Sequence, residues 1–142
     1  MVSLDDKKIR GLIERAIAYN GRSYAPYSGF NVSAAVLAAD GSIHAGVNVE
    51  SASYPCGICA ERNAIAHAVA EGARDIVAVA IVGGRDHVFS DYCMPCGMCR
   101  QVMREFGDPK RMSVIAAKSP DDYRVFTLDR LLPGSFGPEA LR

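Results

Sequence analysis

The 142-residue chain carries no net charge, because sixteen Lys and Arg balance sixteen Asp and Glu. A protein whose main ligand is a nucleic-acid polymer shows a basic surplus or a basic stretch, and this sequence has neither. Long hydrophobic runs are also missing. The longest, Ile76–Val82, has seven residues, against about 20 for a membrane-spanning helix. Asp5 and Asp6 precede any apolar run, which does not suit a secretory leader. No stretch is both poor in apolar residues and rich in charge, which excludes disorder. Internal repeats, low-complexity tracts and linkers are absent. With 49% hydrophobic residues, the chain can build a core, and residues 1–142 are expected to form one soluble, cytoplasmic domain.

What the sequence does have is an odd number of cysteines in two tight groups: Cys56 and Cys59, then Cys93, Cys96 and Cys99. Five thiols cannot all pair within one chain. In a compartment that keeps thiols reduced, clustered cysteines point to metal or redox chemistry rather than a disulfide framework. The three histidines, His44, His67 and His87, lack metal spacing and read as peripheral.

Hydrophobic periodicity places these groups on a scaffold. Ile9, Leu12, Ile13, Ala16 and Ile17 recur on one face of a helix over 4–19, with Ser3 as its cap and Asp6 completing a near capping box. Two short strands, 30–38 and 42–49, are joined by Asp40-Gly41 as a two-residue hairpin turn. A helix runs from Cys59 to Glu71 and stops at Gly72. Residues 75–82 are a strand buried on both faces. Gly83-Gly84-Arg85 reads as an ordinary turn. A second cysteine-led helix spans Cys96–Phe106, with Pro95 placed to open it. Strands at 112–117 and 123–127 and a short helix at 128–132 complete the order. The strand–helix–strand unit at 75–117 has the length of a parallel crossover. The fold class is therefore α/β, with a mixed five-stranded sheet and helices on both faces. That arrangement brings the helix starts at Cys59 and Cys96 close together.

Several chemistries compete for the cysteines. Buried structural thiols are common in cores. Cys56-x-x-Cys59 with Cys96-x-x-Cys99 matches the spacing of a closed four-Cys zinc module. A redox dithiol is a third option, but two CxxC pairs plus Cys93 do not single one out. Glu61 favours a fourth reading. A closed structural site has no need of a carboxylate two residues after a ligand. A catalytic zinc site needs three protein ligands, an open position, and a base beside it. Zinc deaminases with three Cys ligands and a non-ligand Glu follow this plan. Three thiolates on Zn2+ leave a charge of −1, which two helix N-termini would offset and Arg62 could stabilise from behind.

The stretches 30–35 (FNVSAA), 48–55 (NVESASYP), 59–62 (CAER), 95–102 (PCGMCRQV) and 131–138 (LLPGSFGP) come in this order and are spread over most of the chain. In this combination the sequence resembles the small homotetrameric zinc cytidine deaminases. The resemblance implies a three-layer cytidine-deaminase-like domain that holds one zinc ion per chain on Cys59, Cys96 and Cys99, leaving Cys56 and Cys93 as bystanders. It implies Glu61 as the catalytic acid and base, and the Ala60 N–H or C=O at the helix start is suited to fixing the base edge. It also implies that Asn48 and Glu50 hold the ribose hydroxyls and that Phe30 packs on the nucleoside. By the same resemblance, Ala52, Tyr54 and Phe136 are expected to line pockets across subunit boundaries. The expected activity is hydrolytic deamination of cytidine and 2′-deoxycytidine in pyrimidine salvage, by a homotetramer with shared active sites. A related group acts on cytosine-bearing antibiotics such as blasticidin S, but the Asn48-x-Glu50 pair favours a ribose-bearing substrate. The chain departs from the family pattern at Ser33, Ser51, Asn63 and Met94. None of these is a proposed ligand.

Overall fold

The computed structural model describes residues 4–142. Helix α1 spans Asp6–Tyr19, and its start is capped by Asp5, whose side chain accepts the Lys8 N–H at 2.8 Å. The expected cap, Ser3, lies outside the described residues. Asp5 performs that function two positions later. Strands β1 (Phe30–Ala38) and β2 (Ile43–Val47) form an antiparallel hairpin. Inside the closing Ala38–Ser42 pair the loop has three residues, 39–41, rather than two. Ala38 N–H donates to Ser42 O at 2.9 Å, and Gly41 takes the left-handed conformation at φ 90°. This is a type I turn closed by a left-handed glycine.

Helix α2 (Ala60–Ala70), strand β3 (Ile76–Arg85), helix α3 (Gly97–Glu105), strands β4 (Ser113–Ser119) and β5 (Asp122–Thr127), and helix α4 (Leu128–Leu131) follow in the expected order. Three short 3₁₀ turns, at Asn20–Arg22, Tyr54–Cys56 and Pro138–Leu141, were not anticipated. The sheet order is β2-β1-β3-β4-β5. β3 and β4 are parallel across the α3 crossover, and the other pairs are antiparallel, so the sheet is mixed as expected.

Alternation along β3 explains why it is buried on both sides. Ala78, Ala80 and Val82 face α1, which packs through Ile9, Leu12, Ile13 and Ala16. Val79 and Ile81 face the opposite layer, where Ala60, Ala64, Ile65 and Ala68 of α2 meet Cys99 and Met103 of α3. Small residues let the layers approach closely. At Gly46 a Cβ would stand 2.3 Å from the Ala64 nitrogen, so β2 touches the backbone of α2 there.

Gly83-Gly84-Arg85 is not a turn. These residues extend β3 and pair with Val32, Asn31 and Phe30. Glycine is needed because the chain folds back over the strand. A Cβ on Gly84 would lie 1.8 Å from Val88 O, and one on Gly83 would lie 2.8 Å from Cys93 Sγ. The reversal falls instead at Asp86 and His87, both left-handed at φ 52° and 61°. His87 then meets the buried Asn20, with Nδ1 2.6 Å from Oδ1. Pro95 also differs from expectation. It precedes Cys96, which is the N-cap of α3, so it lies outside the first helical turn.

Candidate active site

Cys59 is the N-cap of α2 and Cys96 is the N-cap of α3. The two helix starts converge, and Cys99 reaches the same point from within α3. The three Sγ atoms lie within 4.8 Å of one another. Cys59 and Cys96 are 3.7 Å apart, and Cys96 and Cys99 are 3.5 Å apart. Tetrahedral zinc with Zn–S bonds of about 2.3 Å sets its sulfurs about 3.8 Å apart. The three thiols fit that ion. Cys56 stands apart, exposed, with its thiol donating to Ser53 Oγ at 3.5 Å.

The electrostatics favour a cation here. Cys59 is drawn down to about 5, chiefly by the thiol hydrogen bond from Cys99, with help from Arg62 and Cys96. The same shared bond, together with burial, pushes Cys99 upward. One thiolate is thus stabilised and its partner holds the proton, until a cation displaces it. Arg62 Nη2 donates to Cys59 Sγ at 3.9 Å. The backbone N–H groups that open α2 and α3 add positive potential.

Glu61 follows Ala60 in the first turn of α2 and is 3% exposed. Burial pushes its carboxyl up to about 7, and the nearby Cys59 thiolate adds to the shift. A carboxyl held near neutrality can both take and return a proton. Beside it is a cavity of about 190 Å³ lined by Phe30, Val32, Asn48, Cys59, Ala60, Glu61, Cys93, Met94 and Cys96. Cys93 is kept as a neutral thiol, pushed up to about 12 by burial.

Asn48 is held where β2 ends. Its Nδ2 donates to Phe30 O at 2.8 Å, and its Oδ1 accepts Val32 N–H at 3.0 Å and the Ser23 hydroxyl. The side chain takes over backbone partners on β1, which is why β2 stops short of the expected 49. Glu50 accepts the Tyr27 and Ser28 N–H groups at 3.0 and 3.1 Å, and also the Ser28 hydroxyl. These bonds hold its carboxyl below the usual range, so it stays ionised. Glu50 and Tyr54 line a neighbouring cavity of about 290 Å³ with Tyr27, Ser28, Ser51 and Gly57. Neither the thiols nor Glu61 lines that cavity.

Of the residues expected at the site, the structure gathers Phe30, Asn48, Cys59, Ala60, Glu61 and Cys96 around one cavity, with Cys99 and Arg62 behind. Glu50 lies next door. Ala52 is exposed, Tyr54 is 77% exposed, and Phe136 is 62% exposed on the protein surface. The sequence reading missed Val32, Cys93 and Met94. The period-two alternation from Phe30 puts Val32 on the same strand face, so that signal was present. Cys93 and Met94 sit in an irregular segment with no such signal. The model described as the cytidine and deoxycytidylate deaminase zinc-binding region matches residues 6–116.

The chain belongs to that family. It is 43% identical over 128 residues to a cytidine deaminase of Halalkalibacterium halodurans, a match spanning 90% of this chain and 93% of that one. It is 37% identical over 141 residues to a cytidine deaminase of Mycobacterium tuberculosis, covering 99% and 96% of the two chains. A crystal structure of cytidine deaminase from Burkholderia pseudomallei matches with a TM-score of 0.80 at 43% identity, over 89% of this chain and 97% of that one. Zinc is the metal in the family's description, and the thiol cluster has the spacing to hold it. No helix among the described residues is long and apolar enough to cross a membrane.

Proposed function

We propose that this protein hydrolyses the exocyclic amine of cytidine and 2′-deoxycytidine, giving uridine or 2′-deoxyuridine and ammonia. The observation that carries the reading is a buried carboxyl, Glu61, facing a small cavity two residues from a thiol cluster with zinc spacing. Cys59, Cys96 and Cys99 would hold the ion. When bound it supplies a Lewis acid that makes water a usable nucleophile near neutral pH. Glu61 takes a proton from that water as its oxygen bonds to C4. It passes that proton to N3, then takes the second from the new C4 hydroxyl and gives it to the amine as the C4–N bond breaks, so one carboxyl serves as base and as acid in turn. Water enters and ammonia leaves, and no electrons change hands. The backbone of Ala60 fixes the edge of the base. Asn48 retains one free N–H, and Glu50 Oε2 retains a lone pair. Together these suit a neutral diol such as ribose. Phe30 packs on the nucleoside.

Cytidine deaminases among the relatives support this substrate class. The balanced charge supports a small neutral ligand. The same reading includes a homotetramer in the cytoplasm, serving pyrimidine salvage, in which Ala52, Tyr54 and Phe136 complete the site of a neighbouring copy. The exposure of Tyr54 and Phe136 supports that part.

The deciding assay follows absorbance loss with cytidine, deoxycytidine, CMP, adenosine and blasticidin S, with and without a chelator. Turnover of the two cytosine nucleosides, abolished by chelation, is expected. Turnover of blasticidin S alone would transfer the site to the antibiotic deaminases.

A further inference from the structure

We infer that Cys93, packed with Val32 over Gly83, is a specificity-determining residue that closes the cavity against substituents on C5 of the pyrimidine. The inference rests on the deaminase reading and extends it to a residue which that mechanism leaves unused. Cys93 and Val32 belong to distant segments, yet both line the cavity that holds Glu61. They meet above one glycine. A Cβ on Gly83 would stand 2.8 Å from Cys93 Sγ, 3.2 Å from Cys93 Cβ and 3.1 Å from Val32 Cγ2. The two side chains therefore form a continuous apolar patch, seated as deep as the β3 backbone permits. Gly83 is part of the device, because any side chain there would push Cys93 outward.

Chemistry gives the orientation. The reacting carbon, C4, has two ring neighbours, N3 and C5. Proton delivery to N3 requires that edge to face Glu61, so the C5 edge faces away from the carboxyl. C5–H and C6–H form the only apolar edge of cytosine. Asn48 is two residues from Glu50, Phe30 N–H donates to Ser28 Oγ, which itself donates to Glu50, and Cys59 and Cys96 belong to the thiol cluster. With Ala60 set against the base edge, the apolar wall left for the C5 edge is Val32 with Cys93, continued outward by the exposed Met94. A pocket wall of this kind discriminates one methyl group by roughly 10- to 200-fold.

The test compares kcat/KM for cytidine and 5-methylcytidine in the zinc-loaded protein and in Cys93→Ala, Cys93→Ile and Val32→Ala. Cys93→Ala and Val32→Ala should raise the 5-methylcytidine to cytidine ratio about tenfold or more. Cys93→Ile should lower it. Val32→Ala approaches the wall from β1, so the inference does not depend on one variant folding. Zinc content should stay at one per chain throughout, which separates a wall residue from a metal ligand. If both alanine variants keep the ratio within about twofold of the parent while cytidine turnover persists, the wall is wrong and the deaminase reading stands. If the parent protein turns over neither nucleoside, the deaminase reading falls and this inference falls with it.

Discussion

Asn48 and Glu50 direct most of their hydrogen-bonding capacity into the protein itself. Asn48 ties Phe30 and Val32 of β1 to Ser23, and Glu50 gathers the 27–28 turn. Each leaves only one or two valences outward, which fixes the direction in which a ligand can be gripped. Asn48→Ala should therefore lower stability by about 1–3 kcal/mol, since it strands a backbone N–H and a C=O together. Chemical denaturation measures that loss, and a parallel rise in KM for cytidine is expected. The thiols make a separate prediction. Serine at 59, 96 or 99 should abolish stoichiometric zinc, whereas Cys56→Ser and Cys93→Ser should retain it in metal analysis of the purified protein. Loss of zinc from Cys56→Ser would restore the four-cysteine module. Residue types and spacing made the thiols and Glu61 legible in the sequence. The supporting serines were not, because Ser23 and Ser28 act through turn geometry that carries no periodic signal.

At the scale of elements, the site exists because two helices start at the same place. The parallel β3–β4 pair sends α3 across one sheet face, and α2 lies on that same face through Ala60, Ala64 and Ala68. Gly46 sets how close α2 can come to the sheet. Gly46→Ala should force the helix outward at a cost of about 1–3 kcal/mol. The displacement would carry Cys59 and Glu61 with it, so weaker zinc retention during dialysis should accompany the lower melting temperature. Helix and strand order was readable from the apolar periods at 9–17 and 76–82, and the crossover followed from length. The error at 83–85 has a physical cause. Two adjacent glycines signal a turn when read locally, but here they clear space for Val88 and Cys93 to pack over a strand. Only the tertiary contact distinguishes the two cases.

The whole molecule presents large apolar side chains that its own core does not cover, including Tyr54, Met98, Phe136 and Leu141. Phe136 is held in place by Gln101, whose Nε2 donates to its carbonyl at 3.0 Å. Arg104 pins the same tail through Ser135 Oγ at 2.8 Å and through Glu139. An ordered segment that exposes an aromatic ring suits a surface that another copy completes. Light scattering coupled to gel filtration should give a mass near four chains. Phe136→Ala should reduce cytidine turnover without reducing zinc content. A monomer with full activity would contradict the shared-site proposal. This scale was the least legible in the sequence, because a phenylalanine in an interface and one in a core look alike until burial is known.

In the proposed reaction Glu61 moves the protons of a deamination beside a metal that three thiols would hold. Glu61→Gln keeps the shape of the side chain and removes its ability to take a proton. The most direct measurement is therefore kcat for cytidine together with zinc content in that variant and its parent. Unchanged zinc and a kcat lower by about 10²- to 10⁴-fold are expected. Near-parental turnover with zinc still bound would contradict it.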